Sequence, residues 1–508
     1  MIRKTIVILF STLLCAAAVA STSCTGMEES ERGGVATAPS GNASSGKIPT
    51  TSASEEARKE FTQGRDLAER LLIQDSIQHF DKAISLDPTF ALAELNRANV
   101  SPTGKEFFEH LNKAVSLAGK ASEGEQLLIQ GTEAGANGNT TKQHELLEKL
   151  VAAYPNDERA HFNLGGYYFG QQDFSSAIQH YKKATEIAPN YSPAYNILGY
   201  AYRQNGDYAK AEEAFKKYIQ LIPNDPNPYD SLAELFLKMG KFDDAITQYR
   251  KALSIDSNFI NSHLGIGAAL MYQRKADEAA AEFNKITAKA RSDGERRTAL
   301  FANMVLAADS GKLDQALAEA DKQYSLGEKT NDVPAMVGDL QLKGNILLEM
   351  GKPDDAKQMF EKALKMTADS NLSSEIKDNA KVQQHYNLAV VALGKKDLAT
   401  AKQESEEFRK GAEASKNAAQ VKQVHELAGQ IALEEKRFDE AIAELTQSNQ
   451  QNPYNLYRLC QAYQGKGDAK AKDSCNSAAT FNSLPQLNYA FVRTKAAKND
   501  GGAARASL

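Results

Sequence analysis

A period constrains this 508-residue chain more than any other feature. Leu164, Leu198, Leu232 and Ile266 stand 34 residues apart. Gly165, Gly199, Ala233 and Gly267 follow them and are small. Tyr168, Tyr202, Phe236 and Leu270 are large, Ala177, Ala211, Ala245 and Ala279 are small again, and Tyr181, Phe215, Tyr249 and Phe283 are aromatic. Within each unit the apolar residues recur at three and four, which is one face of a helix. A break follows at Gly206-Asp207, at Gly240-Lys241 and, more weakly, at Gln172-Asp173, and then a second helical face begins. Pro189 and Pro223 fall where that second helix must stop. One such hairpin cannot bury its own apolar faces, so it has to stack on copies of itself. Gly199 and Ala211 are expected to let the two axes approach to ~8–10 Å, with Phe215 filling the space toward the next unit.

These columns resemble the tetratricopeptide repeat, most specifically over residues 158–291. The resemblance implies an all-α fold, a right-handed superhelical solenoid of antiparallel helix pairs with about eleven to twelve units. Residues 54–157 read as divergent N-terminal repeats: Gly64, Phe80, Ala83 and Pro88 fit one unit, Gly131 with Pro155 fits another, and the pattern fades around Ser101 to Gly119. Residues 292–484 read as divergent repeats too, carried by Gly344, Ala356, Phe360 and Ala363, by Ala401, and by Gly429 with Ala441 and Pro453. The tail, 485–508, is expected to hold a short helix and then disorder.

Residues 1–24 read as an export signal. Met1-Ile2-Arg3-Lys4 is a positive leader, and the apolar run to Ala20 is too short for a comfortable membrane span. Two cleavage readings stay open. Ala18-Val19-Ala20 fits an A-x-A site. Ser21-Thr22-Ser23-Cys24 resembles a bacterial lipoprotein signal, which would acylate Cys24, although Ser21 stands where that pattern has leucine. Residues 25–53, rich in Ser, Gly and Thr, read as a flexible tether. The expected location is the periplasm or cell envelope, lipid-anchored to a membrane if Cys24 is acylated. Cys460 and Cys475 lie on neighbouring helices of the last hairpin and are expected to pair, with two buried thiols as the other reading.

The chemistry is sparse. A net charge of −5 and a pI of about 6.0 give no basic field for nucleic acid. His425-Glu426 starts like a zinc-protease helix, but Gly429 stands where the second histidine ligand belongs. Gly265-Ile266-Gly267 lacks the third glycine of a dinucleotide fingerprint and sits in a helical context. His161 and His263 share a column with Tyr195 and Tyr229, so packing accounts for them. No catalytic residue, metal or cofactor is expected.

A surface remains. In the resembling family the first helix of each pair lines a concave groove. Its exposed face here selects Arg159, Phe162, Phe169, Asn196, Tyr200, Arg203, Asp230, Glu234, Lys238, Leu264, Met271 and Tyr272. Aromatics, methionine and arginine are types that supply binding energy at interfaces. The set that clamps a chaperone's terminal carboxylate is missing: Phe162, Gly166, Ile197 and Ser231 stand near those places. The expected partner is therefore another protein, through an extended segment or a helix. The expected function is a non-catalytic scaffold of the cell envelope. The alternatives are an accessory or assembly subunit of an envelope enzyme, polysaccharide, pilus or secretion machine, and a cryptic hydrolase or sugar binder.

Overall fold

The computed structural model describes residues 46–415 and 417–499, and within them every regular element is helical. The helices alternate as first and second members of twelve hairpins, closed by one further helix. The first five hairpins are α1 (Glu55–Glu69) with α2 (Ile73–Leu86), α3 (Ala91–Asn99) with α4 (Gly104–Leu117), α5 (Glu123–Ala136) with α6 (Thr140–Ala153), α7 (Glu158–Gly170) with α8 (Phe174–Ile187), and α9 (Ser192–Gln204) with α10 (Tyr208–Leu221). Next come α11 (Pro226–Lys238) with α12 (Phe242–Ile255), α13 (Ile260–Tyr272) with α14 (Ala276–Lys289), α15 (Asp293–Asp309) with α16 (Leu313–Thr330), and α17 (Val333–Glu349) with α18 (Pro353–Asp369). The last are α19 (Ser374–Gly394) with α20 (Leu398–Ser415), α21 (Ala418–Glu434) with α22 (Phe438–Gln447), α23 (Pro453–Lys466) with α24 (Lys470–Ala479), and then α25 (Leu487–Asn499). The region where the sequence pattern fades is a complete hairpin, with α3 cut to nine residues. Along α15 to α18 the helices lengthen to 17 or 18 residues, so the matching turn glycines Gly311 and Gly351 stand 40 residues apart in the sequence.

The local rules are visible at each end. Asp173 and Asp207 cap α8 and α10, their carboxylates accepting from the backbone N–H three residues on. Inside the hairpins the structure corrects one expected contact. The small residue of the first helix does not face the alanine of the second; it receives the aromatic ring. A Cβ on Gly199 would stand 2.6 Å from the Phe215 ring, and one on Gly267 would stand 2.1 Å from the Phe283 ring. Gly344 and Phe360 repeat this at 2.3 Å. Each ring therefore fills a notch in its own hairpin, and burying it contributes roughly 1.5–3 kcal/mol.

The coil is wound tightly enough for its edges to touch. Turns inside the early hairpins meet loops between later ones. Arg70 pairs with Asp225 at 2.6 Å, and Gly104 N–H donates to Asp332 at 3.0 Å. Asn379 Nδ2 donates to the Asn137 carbonyl at 3.1 Å, and Gln172 bridges to both Asn449 and Lys422. The N-terminal boundary also needs correcting. Residues 47–53, expected within the flexible tether, form a bound strap along the same edge. Ile48 N–H donates to Asp157, Thr51 N–H to Glu125 and Ala53 N–H to Asp87, at 2.8–3.0 Å. Burial raises the Asp87 carboxyl, but hydrogen bonds from Ser52, Thr89 and Ala53 outweigh it and hold it at about 2. Two loop carboxylates and one on the first turn of α5 order this polar stretch, which has little of its own to bury.

Candidate groove on the first helices

Lys238, Tyr272, Asp309 and Glu349 are the last residues of α11, α13, α15 and α17. Each lies two residues before a turn residue with positive φ: Gly240, Arg274, Gly311 and Gly351. They are therefore one repeat position seen four times in succession. All four hold the same piece of polypeptide, the chain's own residues Phe481 to Lys495. Lys238 Nζ donates to the Phe481 carbonyl at 2.6 Å and sits 3.9 Å from its ring centroid. Tyr272 OH donates to the Ser483 carbonyl at 2.5 Å, and its ring meets Tyr489 edge-on at 5.4 Å. Arg493 grips both oxygens of Asp309, at 2.7 and 2.5 Å. Lys495 pairs with Glu349. The segment thus runs along four repeats in order, non-helical at first and then as α25.

Its apolar side enters the largest core. Leu487, Tyr489, Phe491 and Val492 are buried with Leu264, Met271, Phe301 and Ile346 of the first helices. The helix carboxyl ends carry partial negative charge, so Arg493 and Lys495 approach them favourably. Burial lowers the Lys238 ammonium to about 8, with the nearby Arg203 adding to the effect.

The face expected to be exposed is therefore mostly closed, and by two means. Lys238, Leu264, Met271 and Tyr272 lie under, or pack with, the C-terminal segment. Asn196, Tyr200, Asp230 and Glu234 are buried where adjacent first helices bond side to side. Tyr200 OH donates to Ser231, Ser262 Oγ donates to Asp230, and Arg203 pairs with Glu234 while stacking on Tyr200. Arg159 turns to Glu69 of α1 at 3.1 Å and covers the Tyr191 ring. Phe162 and Phe169 remain half-buried, against Tyr191 and Phe174. A sequence offset selects a face of a helix but cannot say how close the next helix lies.

The same column continues beyond the residues that sequence reading selected. Tyr386 and Glu426 occupy it in repeats ten and eleven, and Tyr386 OH donates to Glu426 at 3.0 Å. Asn455 and Arg458 complete that carboxylate's shell at 3.0 and 2.8 Å. Their offset from the turn would have found them. The last hairpin is stapled by a disulfide between Cys460 and Cys475, with Cα atoms 4.8 Å apart. Cys24, the lipidation candidate, lies outside the described residues.

Arg65, Glu69, Arg159 and Tyr191 form one cluster of perturbed groups, tied by the Arg159–Glu69 pair; three others lie apart. Burial takes Lys422 down to about 8 beside Gln172, and takes Asp339 up to about 6 against the pull of Arg297. These groups and Lys238 belong to three separate contacts. Among the described residues no group of three or more His, Cys, Asp or Glu could hold a metal ion. No described helix is long and apolar enough to cross a membrane.

Residues 158–191, 191–258 and 340–370 match family descriptions that read tetratricopeptide repeat. No curated protein matches the sequence. Among solved structures, yeast Tom70 is 17% identical over 76% of this chain and 93% of its own, with a TM-score of 0.46. A tetratricopeptide repeat protein from Parabacteroides merdae is 18% identical over 51% of this chain and 97% of its own, at 0.35. A MamA protein is 27% identical over 33% of this chain and 91% of its own, at 0.28.

Proposed function

Because this chain carries tetratricopeptide repeats, we propose that it is a non-catalytic scaffold of the cell envelope that binds segments of partner proteins along its first helices. The observation that carries this reading is the groove of α11 to α17, which accommodates a polypeptide segment through one repeated position. The N-terminal pattern supports export, and acylation at Cys24 would anchor the molecule. The partners are proteins; the acidic balance disfavours nucleic acid.

Photo-crosslinking tests the scaffold reading in native cells. A crosslinker in place of Phe169, on the first-helix face, should capture a discrete partner. The same group in place of the exposed Lys216 on α10 should not. Equal capture from both positions would overturn it. Mass spectrometry of the mature N-terminus tests the anchor, and an unmodified Ser21 start would remove it.

A further inference from the structure

We propose that residues Phe481–Asn499 are a displaceable ligand held in cis, and that the segment competing for their place is basic and amphipathic. This rests on the scaffold reading and narrows it to a partner chemistry. The competitor carries an aromatic residue in a non-helical stretch, as Phe481 stands here. A short helix follows, with an aromatic four residues before an arginine and a lysine two residues after it, as Tyr489, Arg493 and Lys495 stand here.

Three observations support it. The segment is bound differently from every hairpin helix. Those helices pair within a hairpin, several by a ring seated in a notch, whereas this one has no hairpin partner: it lays an apolar side into the core and bonds to the ends of four first helices. Its chemistry matches the rim: the ladder reads Lys, Tyr, Asp, Glu, and the segment answers with carbonyls opposite the first two and cations opposite the last two. The connection also permits release, although release would uncover apolar residues of the core and of α24. The link from Thr480 to Gln486 is non-helical, and the hairpin before it is closed independently by the Cys460–Cys475 disulfide. The depressed Lys238 ammonium indicates that covering this position carries a desolvation cost, which release would remove.

A fluorescein-labelled synthetic peptide of residues 480–499, titrated against the full chain, tests the proposal by anisotropy. In the wild type the tethered copy holds the site at an effective concentration on the order of mM, so the peptide should bind weakly. Arg493→Ala with Lys495→Ala weakens only the tethered copy, and the peptide should then bind at least about tenfold more tightly, because charge-assisted contacts are the strong ones. Adding Asp309→Ala and Glu349→Ala should cancel that gain. A double variant with unchanged circular dichroism and no gain in peptide binding would overturn the proposal.

If the double variant does not fold, hydrogen exchange on the wild type decides. Amides of 487–499 exchanging well ahead of 293–309 would support displacement; the two exchanging in step would overturn it. Partner capture at Phe169 is read in repeat four, away from this segment. Capture without peptide exchange removes only the cis ligand, whereas failure of capture removes the scaffold.

Discussion

Two stretches of the same inner face differ in what covers them. From repeat five into repeat seven the first helices close on one another: Tyr200 reaches Ser231, Arg203 reaches Glu234, and Asp230 accepts from Ser262. In repeats six to nine the face is closed by a segment from the far end of the chain. The helix ends explain part of the difference. α7 and α9 finish in Gly170 and Gln204, which offer no fixed charge, whereas α11 to α17 finish in Lys238, Tyr272, Asp309 and Glu349. A ladder of anchors can hold a strand of polypeptide; in the other stretch Tyr200, Arg203 and Ser262 are turned to neighbouring first helices instead.

The largest expected effect lies in the second stretch. Asp309→Ala would leave Arg493 buried without its carboxylate, and breaking one side of a buried pair costs about 3–5 kcal/mol. The loss should appear as faster hydrogen exchange in 487–499, with repeats four to six unchanged. Spread of the loss into those repeats would break the distinction between the two stretches. Gly199→Val should do the reverse. It pushes a side chain into the Phe215 ring and should cost about 1–3 kcal/mol in the first stretch, read by urea unfolding. An unchanged midpoint would refute the notch packing.

A pH effect separates the stretches next. His161 and His180 meet Nδ1 to Nδ1 at 3.2 Å in repeat four, where His263 with Glu282 and His425 with Glu444 form acid–base pairs at the same separation of 19 residues. Burial lowers both imidazoles. The Pro155 carbonyl and Asp157 oppose this at His161, where Lys183 adds to it; at His180 Glu148 opposes it, while His161 and His144 add to it. Groups depressed in the fold bind protons more readily when unfolded, so repeat four should lose stability as pH falls below about 6.5. His180→Glu should make the repeat resemble the others and flatten that dependence in exchange measured at pH 5 and 7.5.

The smallest effect concerns left-handed turns. Lys436, exposed with φ 59°, should gain up to about 1 kcal/mol on replacement by glycine. Gln172, with φ 63°, should gain less or lose, because its amide bridges Asn449 and Lys422 across the coil's edges. Paired thermal melts would show it, and equal gains would mean that the bridge contributes nothing.

The repeats were legible because notches such as Gly199, Gly267 and Gly344 lie in one unit with their rings. Gly199 and Phe215 are sixteen residues apart, and a local period is enough to announce them. The inner face was legible only as a direction. Its columns follow one face of each first helix, but the burial of Asn196 and Asp230 depends on how near the next first helix lies. The strap at 47–53 read as tether because its partners are supplied from three distant places, Asp157 and Asp87 on loops and Glu125 on the first turn of α5.

By itself, then, the sequence determined the unit: two amphipathic helices, a notch, a ring and a turn, stated often enough that stacking was the way to bury their faces. Tertiary structure alone decided where the coil's edges meet and which segment lies in its trough. Those outcomes depend on small rotations between successive hairpins. The rotations accumulate over hundreds of residues, so no local pattern records that Arg493 would arrive at Asp309.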